Sequence, residues 1–547
     1  MLDRQTPSAF KDSSGEKDSG ALRMLWEYTL WTAVFLAGVG VFHVLRLQAI
    51  AGHATPFYAY LKPLHNAWTA WIAVAPLITI PVLLMRRVLC GQWNLNKAWI
   101  AALVLSALAP ALFVAEVYLA GTGGDERSWV RATPIAASVM LHDAIPLLIA
   151  EAALVAALLS FRRLRVGDAK PTPLFLCVAL AGAMVFLFVF SGAVAELRGG
   201  LYGITKAYLR LDQEYISDIG EGDSLRGFIG HFTNLHPSLS HHGRVHPPGP
   251  TVLLWLLSFA VGLDAQSLSL ATMACATLLF VPCYLWAREI GGPRMGLVAC
   301  ALFTVSPGIV AFTATSADML FMPFTLTTLF LFERAVRKRS WPAAIGAGVF
   351  YALISFCSFN LLCVGAYFGL VGLNELRDPD RRLAIVRTAA LMFAGFLAVF
   401  GLLYVWSGFN MVECFLVSWR EQRFDLAAQT DRWPAPYWRV LHPVSVLYYT
   451  GIPIAVLFFR RLLKPDALQH ETFVCMALAL LFLSLIVPAR GEMERTGLYM
   501  YPLLIAPAAH LLTVRWQQSK SEAVLASALG FLAFQVWLTE YLFQGYW

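Results

Sequence analysis

Uninterrupted apolar runs of about 20 residues recur from end to end of this chain, and no other feature narrows its fold so far. An α-helix rises about 1.5 Å per residue, so about 20 apolar residues cross the roughly 30 Å hydrocarbon layer of a bilayer. Composition agrees, with 58% of the 547 residues hydrophobic and 14% charged, against roughly 25% charged in soluble domains. An ordinary soluble protein, a disordered chain, a collagen and a disulfide scaffold are thereby excluded. The expected fold class is all-α, a polytopic transmembrane helical bundle.

The runs predict about 15 spans, near 27–47, 67–85, 98–120, 138–160, 173–195, 267–288, 295–314, 318–333, 342–358, 361–375, 385–407, 441–459, 470–488, 498–514 and 522–542. A further apolar piece at 250–263 is short for a span. If it is re-entrant or interfacial and the N-terminus lies inside, the inner side carries 26 of the 41 Lys and Arg, leaving 15 outside. If it crosses instead, the bias downstream inverts. The positive-inside rule favours the first arrangement. The net charge of +7 therefore reads as basic cytoplasmic loops, not as a nucleic-acid partner.

The polar start, including KDSSGEKDSG, is expected to be a cytoplasmic tail (1–26) and not a cleavable signal. Residues 27–170 read as an added four-helix membrane region, 171–515 as the core, and 516–547 as a C-terminal membrane helix ending outside. The nine cysteines are scattered, mostly within apolar runs, with no CxxC pair. They read as small buried apolar residues.

Two loops exceed ordinary connection lengths, 196–249 and 408–440, and both fall outside with the short links 314–318 and 489–497. Long loops on a rigid scaffold commonly carry function. In the first, Tyr208, Leu211, Tyr215 and Ile219 share one helical face, and Leu225, Phe228, Ile229 and Phe232 form a second stripe. Both predict short amphipathic helices in the membrane interface, holding Asp212, Glu214 and Asp218 at headgroup depth. A partly buried carboxylate there can serve as a general base; a solvated helix face is the plainer reading.

His231, His236, His241, His242 and His246 crowd into one stretch without any familiar zinc spacing. No metal or cofactor is expected, although a divalent ion is chemically conceivable. Loop packing, or hydrogen bonding to phosphate, suits these histidines better. His246-Pro247-Pro248-Gly249 is a rigid turn that aims the His246 side chain.

An acidic motif with Tyr in an amphipathic stretch, followed about 30 residues later by a basic residue before Pro-Pro and an apolar run, resembles the GT-C membrane glycosyltransferases. The protein O-mannosyltransferases and lipid A aminoarabinose transferases are the most similar groups. TSADMLFMPFTLTTLFLF, with Asp318, and RGEMERTGLYMYPLL continue the pattern. The resemblance spans roughly 173–515 and departs from it twice. Gln213 separates the two acids, and His246 stands where many members have Lys.

The resemblance implies transfer of a sugar from a polyprenyl-phosphate carrier to an extracytoplasmic hydroxyl of a lipid, glycan or protein, usually with inversion. Asp212, Glu214 or Asp218, in that order, would be the base. His246, Arg244 and Arg495 would hold the donor phosphate. The implied setting is an integral membrane enzyme of the cell envelope, in a bacterial inner membrane.

Asp318 opens a helix at an outer link, as a dipole-favoured N-terminal residue or as a wall of the site. Arg490, Glu492, Glu494 and Arg495 read as a self-neutralising cap or as phosphate ligands, since guanidinium grips phosphate oxygens as a fork. The second long loop carries Arg420, Arg423, Arg432 and Arg439 among Trp419, Trp433 and Trp438, suiting an interfacial anchor or a sugar. Glu116 and Asp143 are assigned no chemistry. No Walker loop, GxGxxG, HExxH or GxSxG motif is present. The rival class is a secondary transporter or lipid flippase, which would show paired repeats and mid-membrane charges. No internal repeat is evident, and the charges gather at the outer boundary.

Overall fold

The computed structural model describes residues 144–163, 171–196, 201–210, 213–428, 435–463, 471–486, 492–519 and 523–542, with helical residues between 24 and 34. Among the described residues there is no strand. The helices are α1 Ala144–Arg163, α2 Pro173–Glu196, α3 Leu201–Leu209, α4 Leu225–Gly230, α5 Phe232–Leu235, α6 His241–Val245 and α7 Gly249–Val261. Next come α8 Ala265–Thr277, α9 Phe280–Thr304, α10 Pro307–Thr315, α11 Met322–Lys338, α12 Trp341–Cys357, α13 Gly365–Glu375 and α14 Pro379–Ser407. The last are α15 Met411–Ala428, α16 Ala435–Thr450, α17 Ile452–Leu462, α18 Glu471–Ile486, α19 Met493–Thr496, α20 Tyr501–Ser519 and α21 Ala523–Leu542.

Local chemistry sets the boundaries. Pro307, Pro342, Pro379 and Pro453 each sit in the first turn of a helix, where the missing N–H costs nothing. Asp264 caps α8 by accepting from Ser267 N at 2.8 Å. The break between the expected spans 267–288 and 295–314 falls at Gly291 and Gly292, just before Pro293.

Among the described residues, four stretches are long and apolar enough to cross a membrane: Pro173–Glu196, Ala265–Thr304, Ala317–Lys338 and Pro379–Ser407. The middle two are 61% buried and form the interior, whereas Pro379–Ser407 is 17% buried and presents Leu397, Leu402 and Val405 outward. The expected spans at 67–85 and 98–120, with Glu116 and Asp143, lie outside the described residues.

Four expectations change. The span expected at 441–459 is two helices, α16 and α17, meeting at 106°. Gly451 makes the corner at φ +123°, which side-chain-bearing residues rarely adopt. Gln535, fully buried on α21, receives the freed Ile452 N–H at 2.8 Å and donates to the Tyr448 carbonyl at 2.7 Å. A broken helix is tolerated inside a bundle when its orphaned backbone groups find such partners. Replacing Gln535 by Leu leaves two buried groups unpaired, at about 1–3 kcal/mol each. A large fall in the melting temperature of the detergent-solubilised protein is the expected result, and an unchanged melting temperature would show that the bridge is dispensable.

The first stripe of the 196–249 loop is not one helix. Helix α3 ends at Leu209, Leu211 lies outside the described residues, and Gln213 N–H and Glu214 N–H both donate to the Arg210 carbonyl at 2.9 Å. The second stripe is helical, yet Phe228, Ile229 and Phe232 are buried against Val252, Phe356 and Phe409 instead of facing lipid. Finally, much of the second long loop is the helix α15. Its Val412, Phe415, Leu416 and Trp419 are exposed along one side.

Candidate functional site

The polar groups of four segments converge at one end of the bundle. The first is the turn after α3. Glu214 precedes a one-turn 3-10 helix, Tyr215–Asp218, and its Oε2 lies 3.2 Å from His242 Nδ1. Tyr215 is buried, its ring 5.5 Å from that of His242 and 6.0 Å from that of His246.

Asp218 differs from its neighbour. It is 1% exposed and accepts from Ser240 N at 2.6 Å and Ser240 Oγ at 2.9 Å. Burial pushes its carboxyl up to about 6 despite those bonds. Ser240 in turn caps α6 through Gly243 N. The carboxylate thus ties the turn to the histidine segment, 22 residues on.

His246 follows α6 in extended backbone and leads into Pro247, Pro248 and α7. The turn is pinned because Gly249 lets the backbone approach the end of α12; a Cβ there would meet the Phe356 carbonyl oxygen at 2.2 Å. Ser358 Oγ lies 3.5 Å from His246 Nδ1. Burial, then the neighbouring His242, push the imidazole down to about 3, so it is neutral near pH 7. The other histidines have separate commitments. His236 Nε2 donates to the Arg244 carbonyl, and His231 Nδ1 to the Gly227 carbonyl.

The third and fourth segments meet through Arg495. Its Nη1 donates to Asp318 Oδ2 at 3.0 Å and its Nη2 to Glu492 Oε2 at 2.7 Å. Burial opposes the guanidinium's charge, but Asp318 and Glu492 outweigh it and hold the pKa above the usual arginine range. Glu492 adopts φ +60°, a left-handed conformation that costs a non-glycine residue about 1 kcal/mol. That strain falls where its carboxylate meets Arg495.

Arg495 borders two clefts. The first, about 300 Å³, is shared with Arg210, Glu214, Tyr215, Thr315 and Ser316. The second, about 350 Å³, is lined by His246, Asp318, Ser358, Asn360, Thr496 and Tyr499 among others. A carboxylate and a neutral imidazole therefore face adjoining spaces across one buried cation. Such an arrangement can take a proton on one side and steady an anion at the centre.

Of the residues singled out from sequence, Glu214, His246, Asp318 and Arg495 come together here. Asp212, Arg490 and Arg432 lie outside the described residues. Arg244 turns toward α15, its Nε 3.6 Å from Glu421 Oε1, and lines neither cleft. Glu494 accepts from Ser445 Oγ at 2.7 Å, and Arg420 is exposed on α15. Ser358, Asn360 and Tyr499 were not anticipated. For Ser358 and Asn360 the signal is the link between the runs 342–358 and 361–375, since the same alternation that puts 314–318 outside puts 358–361 there too, and Tyr499 adjoins the link 489–497.

Residues 245–406 match the model of the dolichyl-phosphate-mannose-protein mannosyltransferase family. The match takes in His246, Asp318 and Asn360 but neither Glu214 nor Arg495. It bears out the resemblance to GT-C membrane glycosyltransferases that the motifs carry. The match covers less than a third of the chain, and the matched family works with a dolichyl-phosphate sugar donor. No curated protein matches the chain.

Proposed function

We propose that the protein moves a sugar from a polyprenyl-phosphate carrier to an acceptor hydroxyl on the extracytoplasmic side of a bacterial inner membrane. About 15 spans hold it there with the N-terminus inside. The observation that carries this reading is the pair of clefts meeting at Arg495, one bearing Glu214 and the other His246.

The acceptor hydroxyl enters the cleft of Glu214. A carboxylate, Asp212 or Glu214, takes its proton while the oxygen attacks the anomeric carbon from the side opposite the phosphate. The bond from the anomeric carbon to the phosphate oxygen breaks, and polyprenyl phosphate departs with the electron pair. Inversion follows from attack opposite the leaving group. Asp218, enclosed and bonded to Ser240, suits a clamp better than a base. Arg495 supplies the positive charge for the leaving phosphate. His246, neutral, donates a hydrogen bond and no charge. Arg244 steadies α6 against α15. The mechanism assigns no step to a metal or cofactor.

Mass spectrometry of lipid carriers and envelope glycans from a strain lacking the protein tests the proposal. The sugar-loaded carrier is expected to accumulate while one glycan, lipid or protein loses that sugar. Unchanged carriers and glycans would count against glycosyl transfer.

A further inference from the structure

We infer that the cleft beside His246 is the sugar subsite and that Asn360, with Tyr499, determines which sugar enters it; the inference rests on the transferase reading above. The cleft contains several polar groups, most of them already committed. Asp318 is bonded to Arg495, the Thr496 hydroxyl to the Glu492 carbonyl, and Ser358 lies against His246. Two groups are not. The Asn360 side chain has no hydrogen-bond partner among the described residues. The Tyr499 hydroxyl, on a residue 2% exposed, has beside it only the Cys363 thiol, a weak hydrogen-bonding group.

Both uncommitted groups are neutral, and an amide both donates and accepts. That is the complement of an un-ionised hydroxyl. Phe321, Met322 and Leu361 give the same cleft an apolar wall for the C–H face of a ring. A cationic amino sugar would find no uncommitted carboxylate among the described lining residues. It would have to compete with the buried Arg495 for Asp318. The site therefore selects a neutral polyhydroxylated sugar, with Asn360 bonding its hydroxyls.

Equilibrium binding to the full chain in lipid nanodiscs tests this without knowledge of the acceptor. Three short-chain probes are compared: polyprenyl phosphate, polyprenyl-phosphate mannose, and polyprenyl-phosphate 4-amino-4-deoxyarabinose. The wild-type protein is expected to bind the mannosyl probe at least 10-fold more tightly than the amino-sugar probe. Asn360→Ala should weaken the mannosyl probe about 10-fold or more while leaving bare polyprenyl phosphate within about 2-fold. Asn360→Asp should move the preference about 10-fold toward the amino sugar. A wild-type preference for the amino sugar, or equal weakening of all three probes by Asn360→Ala, overturns the inference alone. Failure of the wild-type protein to bind any of the three overturns the transferase reading and this inference with it.

Discussion

Exchanging Asp212 for Asn and Glu214 for Gln together is expected to lower kcat for sugar transfer about 10²–10⁴-fold, the usual contribution of a positioned general base. The variant should still fold. Gln at 214 keeps an oxygen that can accept from His242 Nδ1, where the present contact is 3.2 Å, and Glu214 is not the carboxylate that clamps the loop. Donor affinity should change little, because the phosphate's partner, Arg495, is untouched. The loss therefore belongs in kcat and not in KM. The two single variants then divide the effect, since the base alone carries the full loss. As a control, Asp218→Asn should act on stability more than on rate, its oxygens being bonded to Ser240. Full transfer activity in a well-folded double variant would remove both carboxylates from the mechanism.

How much of this was legible beforehand depends on how local each signal is. Apolar runs predict helices well because a span of about 20 residues satisfies its own backbone; Pro173–Glu196 and Pro379–Ser407 stand near the expected 173–195 and 385–407. Which links share a side was also readable, because Lys and Arg bias is additive along the chain. It brought the links of Asp318 and Arg495 to one side, 177 residues apart in sequence, where they bond at 3.0 Å.

Signals that depend on distant partners were not readable. Nothing in VSVLYYTGIPIAVLFF shows that the helix turns by 106° at Gly451, because the compensating amide is Gln535, from a later run. The stripe Tyr208, Leu211, Tyr215 and Ile219 has helical spacing, but helix α3 stops at Leu209 and Tyr215 belongs to a separate 3-10 turn, Tyr215–Asp218. Asp218 and Glu214 look alike in sequence; only the arrival of Ser240 makes one of them enclosed. The Trp and Arg residues of 408–440 masked a helix, since an interfacial helix is rich in the same residues that mark polar loops.

Replacing Arg495 by Lys is expected to cut kcat/KM about 10²–10³-fold, the scale for losing one preorganised donor to a developing anion. The argument starts from what Arg495 already holds. Its two η-nitrogens bond Asp318, at 16% side-chain exposure, and Glu492, at 38%. The more exposed carboxylate is the easier one to displace. An incoming phosphate can thus take the place of Glu492 on Nη2 while Asp318 keeps Nη1 oriented. Lysine retains the charge but offers a point donor, not a fork, so it can satisfy Asp318 or the phosphate but not both in this geometry. Arg495→Ala is the poorer test, because it strands Asp318 without its cation at about 3–5 kcal/mol and confuses unfolding with lost catalysis. Pairing it with Asp318→Asn removes that penalty. The double variant should fold and still lack transfer, and its donor affinity should lose its dependence on salt. Glu492→Gln should do the opposite, leaving a neutral amide oxygen in place of the competing carboxylate on Nη2 and so tightening the donor. A Lys variant with wild-type kcat/KM, or a Glu492→Gln variant that binds donor more weakly, would place the phosphate elsewhere.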